Sequence, residues 1–236
     1  MNKRRLLLIS SSGVHGRGYL DHCMPDILSF LGGIDDVLFI PFAKKDRGAY
    51  AEKIRERMGR EGISVRSIHE FSDPVKAVME AQAIFTGGGN TFLLVTELYR
   101  LNLMAPIRER ALQGMPYFGA SAGSNIAGMT MKTTNDMPII YPPSFDTLGL
   151  VPFTINPHYT DPLPEGLQAG ETRAERIREF HEWNVNPVVG LRQEAMLLVG
   201  NGSILIKGGQ GVKLFRKDAE AEDHEPGERL DFLLKE

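Results

Sequence analysis

Residues 117–123 read Tyr117-Phe118-Gly119-Ala120-Ser121-Ala122-Gly123. A short apolar run meets a Gly-x-Ser-x-Gly turn, and small residues continue beyond it. This is the pattern of a nucleophile elbow in its required context of strand, sharp turn and helix. An elbow lifts a serine hydroxyl off a strained turn. Its glycines give room for the turn and for close helix packing. The N–H of the next residue, Ala122, points where an oxyanion would form.

Such a turn belongs to an α/β sheet, and the flanking sequence agrees. Short apolar runs predict buried strands at 6–10, 37–40, 64–68, 83–86 and 117–118. Amphipathic stretches predict helices at 19–30, 49–60, 74–81, 91–101, 106–113 and 122–129. Strand–helix alternation with continuous apolar strands implies a mostly parallel sheet with helices on both faces. Residues 132–170 are proline-rich and weakly periodic, a loop-rich connection with a strand expected at 151–155. A helix follows at 173–183, capped by Thr172 with Glu175 completing a capping box. The C-terminal part reads as antiparallel. Runs at 195–199 and 203–207 flank Gly200-Asn201-Gly202, and 212–215 would add a third strand. We expect one α/β hydrolytic domain over 1–216 and an acidic C-terminal extension over 217–236.

That extension holds eight acids against three bases, and a late apolar cluster at 230–234 could dock. The whole chain has 236 residues, 27 Lys+Arg, 30 Asp+Glu and one cysteine. A single cysteine excludes a disulfide framework and a thiolate metal cluster. A net charge of −3 lacks the basic excess of a nucleic-acid-binding domain. No apolar run is long enough to span a membrane. Lys3, Arg4 and Arg5 precede Leu6-Leu7-Leu8-Ile9, which is too short for a secretory signal and reads as the first strand. A cytoplasmic protein is expected.

A serine nucleophile needs a base, and the base needs an orienting acid. Of the six histidines, His158 is best placed. It lies in Asn156-Pro157-His158-Tyr159, just past the strand expected at 151–155, and open α/β sheets collect catalytic groups at strand C-termini. Spacing leaves Asp136, Asp146 and Glu194 open as the acid. Thr86-Gly87-Gly88-Gly89-Asn90-Thr91 joins a strand to a helix and leaves backbone N–H groups bare for an anion. Gly13-Val14-His15-Gly16-Arg17-Gly18 has the wrong order for a dinucleotide fingerprint. Cys23, in a helical stretch, reads as a small buried residue. Arg173 follows the Thr172 cap, where a guanidinium and a helix N-terminus suit a carboxylate.

Together these segments resemble the peptidase E family, the aspartyl dipeptidases. The resemblance is carried by Phe39-Ile40-Pro41-Phe42-Ala43, Gly87-Gly88-Gly89-Asn90-Thr91-Phe92 and Ser121-Ala122-Gly123. It continues in Thr133-Thr134-Asn135-Asp136-Met137-Pro138-Ile139, Ile155-Asn156-Pro157-His158 and Gly170-Glu171-Thr172-Arg173. It implies a cytosolic serine exopeptidase acting on dipeptides with N-terminal aspartate, without metal or other cofactor, and a homodimer. It implies a fold like that of class I glutamine amidotransferases, flavodoxin-like in its sheet. On the matching positions Ser121 is the nucleophile, His158 the base and Asp136 the acid. Gly88 or Gly89 and Ala122 hold the oxyanion, and Arg173 and Asn90 bind substrate. Many relatives carry Trp before the nucleophile, where this chain has Ala120, which would alter the pocket wall. A competing assignment places the third member on a glutamate in Gly-Leu-x-Glu. Here that stretch is Gly190-Leu191-Arg192-Gln193-Glu194, so the glutamate falls on Gln193 unless a bulge restores Glu194. An α/β-hydrolase esterase, a relative acting on aspartyl side-chain bonds and a non-catalytic aspartate sensor are the alternatives.

Overall fold

The structure, a computed structural model, describes residues 3–162 and 170–235. The strands and helices in chain order begin with β1 (Arg5–Ile9), α1 (Met24–Leu31), β2 (Asp36–Ile40), α2 (Arg47–Gly59) and β3 (Ser64–Ser67). Next come α3 (Pro74–Glu80), β4 (Ile84–Thr86), α4 (Thr91–Arg100), α5 (Met104–Leu112), β5 (Tyr117–Ala120) and α6 (Ala122–Asn125). The C-terminal part adds β6 (Thr154–Tyr159), α7 (Arg173–Trp183), β7 (Val188–Arg192), β8 (Met196–Gly200), β9 (Ser203–Lys207), β10 (Val212–Phe215) and β11 (Glu222–His224).

A seven-stranded sheet runs in the order β3-β2-β4-β5-β1-β8-β9. Its first five strands are parallel, β8 pairs antiparallel with β1, and β9 pairs antiparallel with β8. Successive residues of β1 serve opposite faces, as pleating requires. Leu7 and Ile9 pack with Ile27 of α1 and Ile54 of α2. Leu6 and Leu8 pack with Leu94 of α4 and Ile107 of α5. Both faces are therefore covered, as continuous apolar strands demand.

The registers decide where the site forms. Ile9 is level with Ala120, Gly119 with Thr86, and Thr86 with Ile40. The strands thus end together, and the turns after β1, β2, β4 and β5 emerge at one edge of the sheet.

Besides the strand expected at 151–155, which runs over Thr154–Tyr159, three local expectations change. The first helix begins at Met24 rather than Tyr19, because Leu20 adopts φ 60° and breaks the turn. The helix after the elbow ends at Asn125 rather than 129. The carbonyls of Ile126, Ala127 and Gly128 accept from the N–H groups of Leu148, Leu150 and Gly149 instead of from a further turn. Third, 212–215 does not extend the hairpin. Gly208, Gly209 and Gly211 all take positive φ and turn the chain away, so β10 pairs with β7 in a second, four-stranded sheet of order β11-β10-β7-β6.

The acidic stretch after 216 carries its charges in solvent but is woven into the fold. β11 pairs with β10, and Leu230 and Leu233 are buried in the main core. Ile206 and Leu230 donate backbone hydrogen bonds to Glu228 and Ile204, so the chain covers what would be the open edge of β9. Of the loop-rich connection, residues 163–169 lie outside the described residues.

Candidate active site

Ser121 follows β5 with φ 55° and ψ −112°, a conformation that costs a non-glycine residue about 1–3 kcal/mol. The surroundings hold it there. Its N–H donates to the Ile9 carbonyl at 3.0 Å, and its own carbonyl accepts from Ser124 and Asn125 at 2.9 Å. The elbow glycines are sterically required, since a Cβ on Gly123 would run into the Thr86 carbonyl and one on Gly119 into that of Gly123. Ala120 is fully buried among core side chains, not in a pocket wall. Ser121→Gly is expected to relieve the strain and stabilise the fold by about 1 kcal/mol, raising Tm by about 2–4 °C, while activity disappears. Calorimetry checks it, and an unchanged or lowered Tm would show that the elbow stores no strain.

His158 comes from the second sheet. The β6–β7 register shifts between Asn156 and Tyr159, and within this bulge His158 takes φ 56°. A bulge re-aims a side chain, and here the imidazole leaves the sheet so that Nε2 lies 2.8 Å from Ser121 Oγ. The bulge is tied down from both sides. The His158 N–H donates to Ser10 Oγ at 3.0 Å, which in turn donates to the Leu191 carbonyl at 2.9 Å. Asn135 Nδ2 donates to the Pro157 carbonyl at 2.9 Å.

The third position differs from the expectation. Asp136 Oδ2 accepts from Thr91 N at 2.7 Å, Thr91 Oγ1 at 2.6 Å and Thr134 Oγ1 at 3.0 Å. It therefore sits at the N-terminus of α4 and acts on His158 through its charge. Glu194 has φ 67° and pairs with Arg17 at 3.6 Å, away from the imidazole. Besides Ser121, the side chain that hydrogen-bonds His158 is Gln193. Gln193 Nε2 donates to the Gly13 carbonyl at 3.0 Å, so its amide oxygen is the end left for the imidazole. Burial pushes the His158 pKa down. The Gln193 hydrogen bond and the Asp136 charge oppose that shift, and the Arg173 charge adds to it.

Gly88 lies against Ser121, where an added Cβ would come within 2.9 Å of the Ser121 Cβ, and Gly89 lines the same cleft. The Gly88 backbone hydrogen-bonds the Tyr50 hydroxyl. Among the described residues, the N–H groups of Gly89 and Ala122 have no acceptor, which suits them to an oxyanion. Asn90 caps α4, its Oδ1 accepting from Leu93 at 3.1 Å and its Nδ2 donating to the Met137 carbonyl at 2.8 Å. Both ends of its amide thus have protein partners.

Arg173 opens α7 after the Thr172–Glu175 capping box. Burial and Arg176 lower its pKa, against the charge of Asp136. It lines a pocket of about 260 Å³ whose carboxylates already have cations, Asp161 on Arg192 and Glu171 on Arg176. Among the described residues, Arg173 makes no ion pair. Cys23 is buried and its thiol is pushed up to about 12, so it is no nucleophile at neutral pH.

The model of peptidase family S51 matches residues 6–207. The chain belongs to peptidase family S51. Its relatives include a Streptomyces coelicolor protein named "Peptidase E", 45% identical over 97% of this chain and 94% of the relative. A Drosophila melanogaster relative named "Probable alpha-aspartyl dipeptidase" is 45% identical over 98% of each chain. A crystal structure of a peptidase from an acI-B1 actinobacterium shares the fold, with a TM-score of 0.70 at 17% identity and 97% coverage of both chains.

For this S51 enzyme the sequence points to Ser121 and His158, and the fold joins them. It underrates Gln193. The usable signal was the ungapped spacing from Gly190-Leu191, outweighed by the expectation that the position must be acidic.

Proposed function

We propose that this S51 peptidase hydrolyses Asp-Xaa dipeptides through an acyl-enzyme on Ser121. The observation that carries the reading is the Arg173 guanidinium, which has no ion pair among the described residues and whose charge reaches His158 of the 2.8 Å Ser121–His158 pair. A bidentate arginine selects a carboxylate by charge and geometry together. The name of the Drosophila relative supports the same substrate class.

His158 Nε2 takes the Ser121 proton as Oγ attacks the aspartyl carbonyl. The N–H groups of Gly89 and Ala122 receive the oxyanion. His158 then protonates the leaving amine, and water repeats the sequence to release aspartate. Gln193 holds the imidazole in the required tautomer, and Asp136 contributes negative charge from the start of α4.

The wild-type enzyme should cleave Asp-Leu and reject Asn-Leu, Glu-Leu and Ala-Leu. Asn-Leu leaves Arg173 under-paired, and Glu-Leu displaces the scissile carbonyl from Ser121. Equal cleavage of Ala-Leu would remove the Arg173 account. Efficient hydrolysis of simple esters with no dipeptide turnover would favour the esterase reading, and aspartate binding without turnover the sensor.

Because burial lowers the His158 pKa, the active neutral imidazole persists below the usual histidine value of about 6.5. The acid limb of kcat/KM should therefore fall below that pH. Gln193→Glu should move the limb upward, since a carboxylate favours the imidazolium. Gln193→Ala should lower kcat by about 10²-fold or more, and Glu194→Gln should leave it unchanged. A collapse in Glu194→Gln alone would reverse the assignment.

We also propose a cytoplasmic homodimer. No described helix is long and apolar enough to cross a membrane. Met137, Ile139 and Tyr141 form an exposed apolar stretch, between 64% and 90% accessible, that suits a second copy. Light scattering checks the assembly, and a monomer at micromolar concentration would refute it.

A further inference from the structure

A cleft of about 340 Å³ opens from Ser121 and His158 toward the connection between β2 and α2. Gly88 and Gly89 line it with Ser121, and so do Lys44 and Lys53, with Tyr19 and Tyr50. Asp46 also lines it, with Oδ1 accepting from the Ala49 N–H as the cap of α2. Two ammonium groups against one carboxylate leave this wall positive. Arg173 does not line this cleft but lies with Glu171, Thr172 and Arg176 around a separate pocket. Lys44 and Lys53 thus share the cleft of Ser121 and His158, and Arg173 acts on His158 by its charge from the neighbouring pocket.

Resting on the dipeptidase reading above, we propose that Lys44 and Lys53 form the subsite for the free α-carboxylate of the leaving amino acid. An Asp-Xaa dipeptide carries two carboxylates, one on the acyl side chain and one on the leaving residue. With Arg173 taking the first, the lysine wall faces the second. That carboxylate lies a single residue beyond the scissile nitrogen, within the reach of a short cleft. A longer peptide presents a neutral amide at the same point and offers the lysines no partner.

The lysines are positioned without being neutralised. Lys53 Nζ lies 4.3 Å from the Tyr19 ring centroid, and Lys44 Nζ 5.6 Å from that of Tyr50. Cation–π contact orients an ammonium group and leaves its charge available. The two tyrosine hydroxyls are 2.9 Å apart, and Tyr50 is bonded to the Gly88 backbone. The tyrosine pair thus ties the ammonium groups to the glycine turn beside Ser121. Among the described residues, neither lysine has an acidic partner within ion-pair distance.

The test compares kcat/KM for Asp-Leu and Asp-leucinamide in the wild type, the Lys44→Met/Lys53→Met variant and the Lys44→Arg/Lys53→Arg variant. Both lysines are exposed, so the substitutions leave the core intact. The wild type should prefer the free acid by about tenfold to a hundredfold, the worth of a charge-assisted contact. The methionine variant should lose that preference, the arginine variant should retain it, and added salt should weaken it in the wild type. Equal cleavage of acid and amide by the wild type overturns the subsite and leaves the dipeptidase reading intact. A preference that survives in the methionine variant does the same. Cleavage of neither substrate overturns the dipeptidase reading and the subsite with it.

Discussion

Ser121→Ala is expected to lower kcat for Asp-Leu by about 10⁴-fold or more. The substitution isolates the chemistry, because alanine carries the same Cβ at φ 55° and keeps the backbone bonds to Ile9, Ser124 and Asn125. What disappears is Oγ, the atom 2.8 Å from His158 Nε2. The oxyanion donors and Arg173 remain, so the variant should still bind Asp-Leu in calorimetry. Near-wild-type turnover would eliminate the serine mechanism. Loss of binding together with turnover would mean that the serine shapes the pocket instead of reacting in it.

Arg173→Met should lower kcat/KM for Asp-Leu by about 10²–10³-fold, since a site built around a charged contact loses most when one partner goes. The methionine stem keeps much of the packing. The cap of α7 is made by Thr172 and Glu175, so the helix should survive the change. The preference for Asp-Leu over Asn-Leu should collapse in the variant. Removing this cation should also raise the His158 pKa, because its charge now presses that pKa down. The acid limb would then move to higher pH. A variant with wild-type preference and an unmoved limb would place the substrate carboxylate elsewhere.

The arrangement resolves the purpose of the Thr133–Asp136 segment. It joins the glycine turn to the base. Asp136 receives the Thr91 N–H and hydroxyl at the head of α4, Asn135 holds the Pro157 carbonyl, and the Asn156 amide donates to the Thr133 carbonyl at 2.6 Å. Segments far apart in the chain are thereby locked into one support for the Ser121–His158 pair. An acidic residue in such a support resembles a triad member in sequence, because both roles put a carboxylate near the site.

The sequence alone determined the features written locally. Apolar runs and their spacing located β1 to β5, and β9 and α7 match their expected limits residue for residue. The Gly-x-Ser-x-Gly pattern located the strained Ser121 turn, since only small residues fit where β5 turns beneath Thr86. Arg173 followed from its place after a capping box. Only the tertiary structure decided where Asp136, Gln193 and Glu194 find their partners, the second sheet and the edge covered by the acidic segment. Those depend on pairings between distant strands, on a bulge that aims His158 and on positive φ at Glu194. No local propensity encodes a bulge held by Ser10 and Asn135 from other parts of the chain. At Gln193 and Glu194 a shift of one residue moves a side chain from His158 to Arg17, and that register is fixed only when the chain folds.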